Sequence, residues 1–424
     1  MAPVRDSFAA LRERPFRLLW TGQALSGIGD SMVWIASAFA VIRLTGSAAD
    51  LGLVLAAGTI PRVGLGLAAG VWADRLPRNV VMRASDLLRA LSQGLVAADL
   101  LTGHARIWHL AVAAAVYGAA TAFFNPALGG LVPDTVSPGR LQQANALIGL
   151  TRSGLGVAGP GLSGALVAAF GPGWVYAIDA ASFVGSAACL SLLAIPPAVA
   201  QEQRQRFFAE LAAGWRIVVA HSWIWATLIA FAVGNFFIAC TLVLGPIVSE
   251  EQLGGAATWG FFGMGMSAGS LAGAALSLRV RPRRPLAFAC LITCLNAVPA
   301  LLFAIPATVP AILAAAVFAG LGLQFSNTLW ETVLQQQVPR ESRSRVSAYD
   351  WMVSWIFMPL GFLLAGPLST AIGTRAALLV AGGTMIVLYV TIAAVPGVRA
   401  IRLVDAREPE QEPARAQAPA PAPT

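Results

Sequence analysis

The chain is cut into long apolar runs by short, basic loops, and that pattern fixes the solvent in which it folds. Hydrophobic residues make up 57% of it and charged residues only 11%, where water-soluble domains carry roughly 25% charged residues. No aqueous core absorbs this much apolar sequence, so lipid surrounds most of it. A helix needs about 20 apolar residues to cross ~30 Å of hydrocarbon, and backbone polar groups cannot stay unpaired there. Runs this continuous exclude barrel strands, which alternate over about 10 residues. Twelve helices are expected, at about 17–43, 49–73, 79–102, 106–132, 141–170, 173–195, 222–248, 255–279, 285–305, 308–335, 344–371 and 374–396.

The remaining segments divide the chain. Residues 1–16 are too polar for a cleaved signal, and the next run is too long for a signal core and lacks a cleavage site. Residues 17–196 and 222–397 each hold six of these runs and are expected to form two six-helix bundles. The 197–221 segment between them repeats Phe207, Phe208, Leu211 and Trp215 at helical spacing among charges, and reads as an amphipathic linker on the membrane surface. The tail, 398–424, turns rich in Pro, Ala and Glu from Val404 and should be disordered. All 28 basic residues are Arg. They crowd the loops that this count assigns to the cytoplasm, whereas Arg43, Arg106 and Arg375 fall on the other side, so both termini are expected in the cytoplasm of a plasma or inner membrane.

Other function classes find little support. The net charge of +8 is dispersed among loops and is no nucleic-acid signal. Cys189, Cys240, Cys290 and Cys294 lie inside apolar runs without metal-ligand spacing. The three His are scattered, so neither an enzyme centre nor a metal or cofactor is expected. No phosphate-binding loop of the G-x-x-x-x-G-K-[ST] type occurs, so ATP is not the energy source.

The two halves repeat. Gly46 through Gly52 aligns with Gly254 through Gly260, and Gly29-Asp30 with Gly234-Asn235. Val116 through Gly171 aligns with Val317 through Gly373, matching Gly159, Gly164 and Gly171 to Gly361, Gly366 and Gly373. The basic turn Gly70-Val71-Trp72-Ala73-Asp74-Arg75-Leu76-Pro77-Arg78 has a counterpart at 279–284.

That turn, G-x-x-x-D-R-x-x-R, resembles the loop between the second and third helices of the major facilitator superfamily. The resemblance implies a charge latch at Gly70, Asp74, Arg75 and Arg78; Pro77 stands where the family usually has Gly. The stretch Gly154 to Gly164 is similar to the family's exporter motif in helix 5, carried here by Gly156, Gly159, Pro160 and Gly164, with Ser163 in place of one Gly. Asn125-Pro126 and the run Val132 to Leu147 resemble a bacterial subgroup of macrolide-efflux and enterobactin-export proteins. The implied fold is all-α, two pseudo-symmetric six-helix bundles that hold substrate near the midplane.

Charges inside lipid-spanning helices cost ~2.5–3.5 kcal/mol on insertion scales and face cavities or partners. Asp30 lies 13 residues beyond Arg17, roughly 20 Å up helix 1, and Arg62 lies 12 residues before Asp74, roughly 18 Å up helix 2. Their matched depth predicts that they face each other or share the cavity. Gln23, Ser26, Asp30, Trp34 and Ser37 form one polar face. Asp30 is the candidate proton carrier; a static pair with Arg62 and contact with a cationic substrate are the alternatives. Arg152, 11 residues past Leu141, is a candidate partner for Asp30, for an anionic substrate or for a kinked neighbour's carbonyls. Asp86 and Arg89 read as an i, i+3 structural pair, and Asp179 as structural. Many proton-driven members of the family that the chain resembles carry a helix-4 Arg that is absent from His109–Gly130, so either Arg62 or Arg152 takes its part or the coupling differs. Trp34, Tyr117, Phe124 and Phe231 are candidate cavity aromatics. Asn125, Asn235, Gln324 and Asn327 are cavity amides, since an amide facing lipid is costly. Glu331 and Asp350 are expected to gate the cytoplasmic side by pairing with Arg343 or Arg345. The function this supports is proton-coupled efflux of a drug-like or siderophore-like molecule by a monomer; nutrient symport and a non-transporting sensor are the other readings.

Overall fold

The computed structural model describes residues 8–73, 76–193, 215–305, 307–339 and 342–403, without the side chains of 67–73, 344, 345 and 348. Most of the 197–221 linker, the tail from 404, and Asp74 and Arg75 of the basic turn therefore lie outside the described residues. The first half is built of α1 (Arg14–Thr45), α2 (Ala48–Ala73), α3 (Arg78–Thr102), α4 (Ile107–Thr135), α5 (Leu141–Phe170) and α6 (Pro172–Ser191). The second half begins with α7 (Ser222–Gln252) and α8 (Ala256–Ser277). Next comes α9, in two pieces, Pro285–Thr293 and Ala297–Ala304, then α10 (Val309–Gln337). It ends with α11, again in two pieces, Arg343–Ile356 and Met358–Ile372, and α12 (Thr374–Ala394).

A proline follows each interruption within a turn. Pro299 has no N–H to give the carbonyl of Leu295, and α9 tightens into a 3-10 turn at Cys294–Asn296. Pro359 likewise has no N–H to give the Trp355 carbonyl, which accepts from the Phe357 amide instead, and α11 breaks at Phe357. The apolar pattern runs through both breaks, which is why hydropathy reads each as one span.

Ten of these helices are long and apolar enough to cross a membrane. The exceptions are α3 and α8. In α8, Gly and Ser dilute the hydropathy. In α3, Ser85, Asp86, Arg89, Ser92 and Gln93 are buried, while Leu87, Leu88, Leu91 and Leu95 are exposed. The exposed leucines suit lipid, and the polar stripe turns inward.

Within the first half α1 packs on α5 and α6, α3 on α4 and α6, and α2 on α4. In the second, α8 packs on α10 and α7 on α11. The halves meet where α5 crosses α8 and α2 crosses α11. Both crossings lie near the end of the bundle that carries the Gly46 and Gly254 turns, here the far end; the near end holds the start of α1. A Cβ on Gly164 would stand 2.5 Å from the Ala256 carbonyl oxygen, and one on Gly260 would stand 2.5 Å from that of Pro160. At the other crossing Gly52 abuts the Phe362 carbonyl, and a Cβ on Gly366 would stand 2.5 Å from Ala49 Cα. Gly52 and Gly260 are repeat mates, as are Gly164 and Gly366, so one pair of glycines builds both crossings. The repeat also shows at the turns: Gly171 and Gly373 take φ of 88° and 85°, a region where a side chain would be strained.

Candidate functional site

The inward stripe of α3 meets α1, α4 and α6 in a buried ionic layer. Arg89 is 2% exposed and Asp86 and Asp179 are fully buried. Arg89 Nη2 bonds Asp86 Oδ1 at 2.5 Å, and Nη1 lies 3.8 Å from Asp30 Oδ2. Its guanidinium carbon sits 4.3 Å from the ring centres of both Phe124 and Phe183, a cation–π cradle that offsets lost hydration. The Tyr117 hydroxyl donates to Asp30 Oδ1. Gln93 Nε2 donates to Asp179 Oδ2 at 2.8 Å, and Asp179 Oδ1 presses on Gly29 of α1.

Asp30 is the member of this layer that meets open space, its side chain 41% exposed. It lines a cavity of about 260 Å³ with Gln23, Arg89, Phe124, Asn125, Arg152 and Gly156. The candidate residues Asp30, Gln23, Phe124, Asn125 and Arg152 are thus brought to one chamber on the near side of the ionic layer. Arg152 is exposed there and has no acidic partner among the described residues.

The expected Asp30–Arg62 pair does not form. Arg62 lines a second cavity, of about 190 Å³, with Trp34, Gln93, Tyr117 and Tyr176. Helical rise sets a residue's depth but not its direction, and α3 presents Arg89 to Asp30 instead. Arg89 therefore takes the place expected of Arg62 or Arg152. Asp86–Arg89 is a pair, as its spacing implied, but it belongs to the Asp30 network. The sequence signal that could have found it is the spacing Ser85, Asp86, Arg89, Ser92, Gln93, one polar face opposed to four leucines.

The second-half candidates divide. Asp350 accepts from Trp330 Nε1 at 3.0 Å and from Ser354 Oγ at 3.3 Å. It does not pair with Arg343, whose Nε donates to the Val338 carbonyl at 3.0 Å; the side chain of Arg345 lies outside the described residues. The indole and hydroxyl satisfy Asp350 within its own half, and Arg343 sits about two turns away, at the first residue of α11. Glu331 is exposed and has no cationic partner among the described residues. Asn235 Nδ2 donates to the Ser354 carbonyl at 2.6 Å, so it ties α7 to α11 rather than standing free in a cavity. Phe231 packs edge-on against Trp330, ring centres 5.5 Å apart. Gln324 is half-buried and Asn327 exposed.

At the near end Arg78 Nη1 donates to the Gly130 carbonyl at 2.8 Å and pairs with Asp134 at 3.2 Å. The latch arginine thus holds α3 to α4 inside one half. Gly70 lies in the last turns of α2. Glu13 accepts from the Ser137 amide and hydroxyl and pairs with Arg140 at 3.1 Å. In the helix-5 motif Gly159 lies against Ser31 of α1, and Gly156 faces α8, where its Cβ would meet Ser267 Oγ at 4.0 Å. Ser163, the departure from the motif, is fully buried and donates to the Met32 carbonyl at 2.7 Å. Its hydroxyl adds a tie that a glycine lacks.

Two six-helix halves crossing at one end, with an ionic layer opening into a chamber between lipid-length helices, define a membrane transporter rather than an enzyme. The sequence model of the Major Facilitator Superfamily matches residues 19–355, and the chain belongs to that family. It is 28% identical over 406 residues to the multidrug efflux pump Tap of Mycolicibacterium fortuitum, covering 92% of this chain and 97% of that one. It is 22% identical over 402 residues to macrolide efflux protein A of Streptococcus pyogenes, with the same coverage. Its fold superposes on the crystal structure of the nucleoside transporter NupG with a TM-score of 0.69 at 15% identity, covering 90% or more of each chain.

Proposed function

We propose that this transporter is a proton-coupled exporter of a drug-like or siderophore-like molecule, with the near end in the cytoplasm. The observation that carries the reading is Asp30, a carboxylate held by Arg89 and Tyr117 yet open to the 260 Å³ chamber. A carboxylate can load a proton from that chamber and release it when a cation or a hydroxyl donor stabilises the charged form. The efflux relatives and the helix-5 exporter motif favour the outward direction. The arginine-rich near-end loops favour its cytoplasmic placement. Trp20, Phe124 and Leu155 supply apolar wall to the chamber, and Gln23, Asn125 and Arg152 supply polar groups, the mixture expected of a small-molecule site. The protein works as a single chain, since both crossings and the chamber are complete within it. Asp30→Asn should abolish export driven by a pH gradient while leaving substrate counterflow without a gradient intact. Undiminished pH-driven export by that variant would remove Asp30 from coupling.

A further inference from the structure

The two cavities of the first half lie on opposite sides of one hydrogen bond. The near chamber is lined by Trp20 to Ser31 of α1, by Thr121 to Asn125 of α4 and by Ile148 to Gly156 of α5. The other is lined by Val33 to Ser37 of α1, Val54 to Arg62 of α2 and Leu110 to Thr121 of α4. On α1 and α4, whose segments line both cavities, the second segment lies farther from the near end than the first. Thr121 is common to both linings. Asp30 faces the near chamber, Tyr117 lines the far one, and the Tyr117 hydroxyl donates to Asp30 across the division.

We propose that Tyr117 is the proton bridge between the far-end cavity and Asp30. This rests on Asp30 being the proton carrier. When Asp30 Oδ1 takes the hydroxyl proton, the phenol oxygen takes one from a hydronium in the far cavity, which is left as water. One O–H bond forms for each that breaks, and Tyr117 is neutral before and after. The charged groups facing the pair suit this direction. Arg89, with Asp86 behind it, holds the Asp30 carboxylate from α3. Asp179 approaches from α6 and is tied by Gln93, which also lines the far cavity. Arg62 on α2 faces the far cavity and Arg152 on α5 the near one. The Arg62 guanidinium, which has no acidic partner among the described residues, disfavours a resting hydronium there, so the proton passes through and does not lodge. The ring of Tyr117 packs edge-on against Phe183 at 5.9 Å, a contact that phenylalanine keeps.

The test needs no identified substrate. The full chain is reconstituted in one orientation in liposomes, and Asp30 protonation is followed by its carboxyl infrared band, assigned by subtraction of Asp30→Asn. Acid jumps are applied to the far side or the near side in turn. For Tyr117→Phe, far-side loading should slow by roughly a hundredfold, the scale of a lost proton relay, with near-side loading unchanged. Equal far-side rates in Tyr117→Phe and the wild type would overturn the bridge while leaving Asp30 as carrier. Loading of the wild type from the near side alone would also overturn it. Absence of any Asp30 band under either jump would defeat the carrier reading and the bridge together.

Discussion

Arg89 and Asp30 sit 3.8 Å apart across the α3–α1 seam, and the same guanidinium holds Asp86 at 2.5 Å. One cation thus serves a carboxylate that faces the chamber and another that never leaves the protein interior. Truncating Arg89 strands Asp86 without a counter-charge. Breaking a buried pair by removing one partner costs roughly 3–5 kcal/mol. Arg89→Leu should therefore lower the unfolding midpoint in detergent sharply, and Arg89→Leu with Asp86→Leu should recover a large part of the loss. Equal midpoints for the single and double variants would mean that Asp86 is not charged against Arg89.

The α2–α11 crossing depends on Gly52, whose Cβ position is filled by the Phe362 carbonyl. Overpacking of this kind costs about 1–3 kcal/mol. Because the clash exists only while the far end is closed, Gly52→Val should shift the population toward a far-end-open state. Spin labels placed on α2 and α11 near this end would read the change as a longer distance distribution. Gly260→Val should do the same at α5–α8.

The near-end clasp at Glu13 is sensitive to pH. The Ser137 hydroxyl above all, with the Ser137 amide and Arg140 adding to it, holds its carboxyl below the ordinary value of 4.5 against the opposing effect of burial. A lowered folded-state value means that the clasp stabilises the fold above the unfolded value and loses that contribution as pH falls through the folded one. Wild type should thus exceed Glu13→Gln in thermal stability at neutral pH. The gap should close as the buffer is taken below about pH 4, in keeping with the ordinary glutamate range. A gap that widens in acid would contradict the assignment.

Trp330 gives its indole N–H to half-buried Asp350. Trp330→Phe removes that donor and keeps most of the ring, leaving an unsatisfied acceptor at a cost of about 1–3 kcal/mol. Trp330→Phe combined with Asp350→Leu should be less destabilised than Trp330→Phe alone, as measured by unfolding in a fixed detergent.

Much of this architecture is written in the sequence because lipid permits few solutions. Apolar run lengths place the helices to within a few residues, and the glycine repeat marks the two halves, although not where they cross. Asp30 stands out as a charge in a place where charges are expensive. Its partner does not stand out, since 1.5 Å per residue sets height alone. Which of Arg62 and Arg89 turns toward Asp30 depends on how α1 and α6 seat against α3, a matter of packing. For a similar reason the sequence points Asp350 at Arg343 and Arg345: proximity along the chain is visible, whereas the indole of Trp330 comes from another helix. The breaks at Cys294–Asn296 and Phe357 were missed because hydropathy counts Pro299 and Pro359 as tolerable residues and is blind to the donor that each withholds.

The interruption of α11 at Phe357 has no equal in its repeat mate α5, which runs unbroken from Leu141 to Phe170. The two halves therefore differ in backbone continuity at matching positions despite their repeated sequence. Asp30, Arg89 and Tyr117 all sit in the half whose helices run unbroken, so the ionic layer rests on continuous helices, whereas the interruptions fall in the other half.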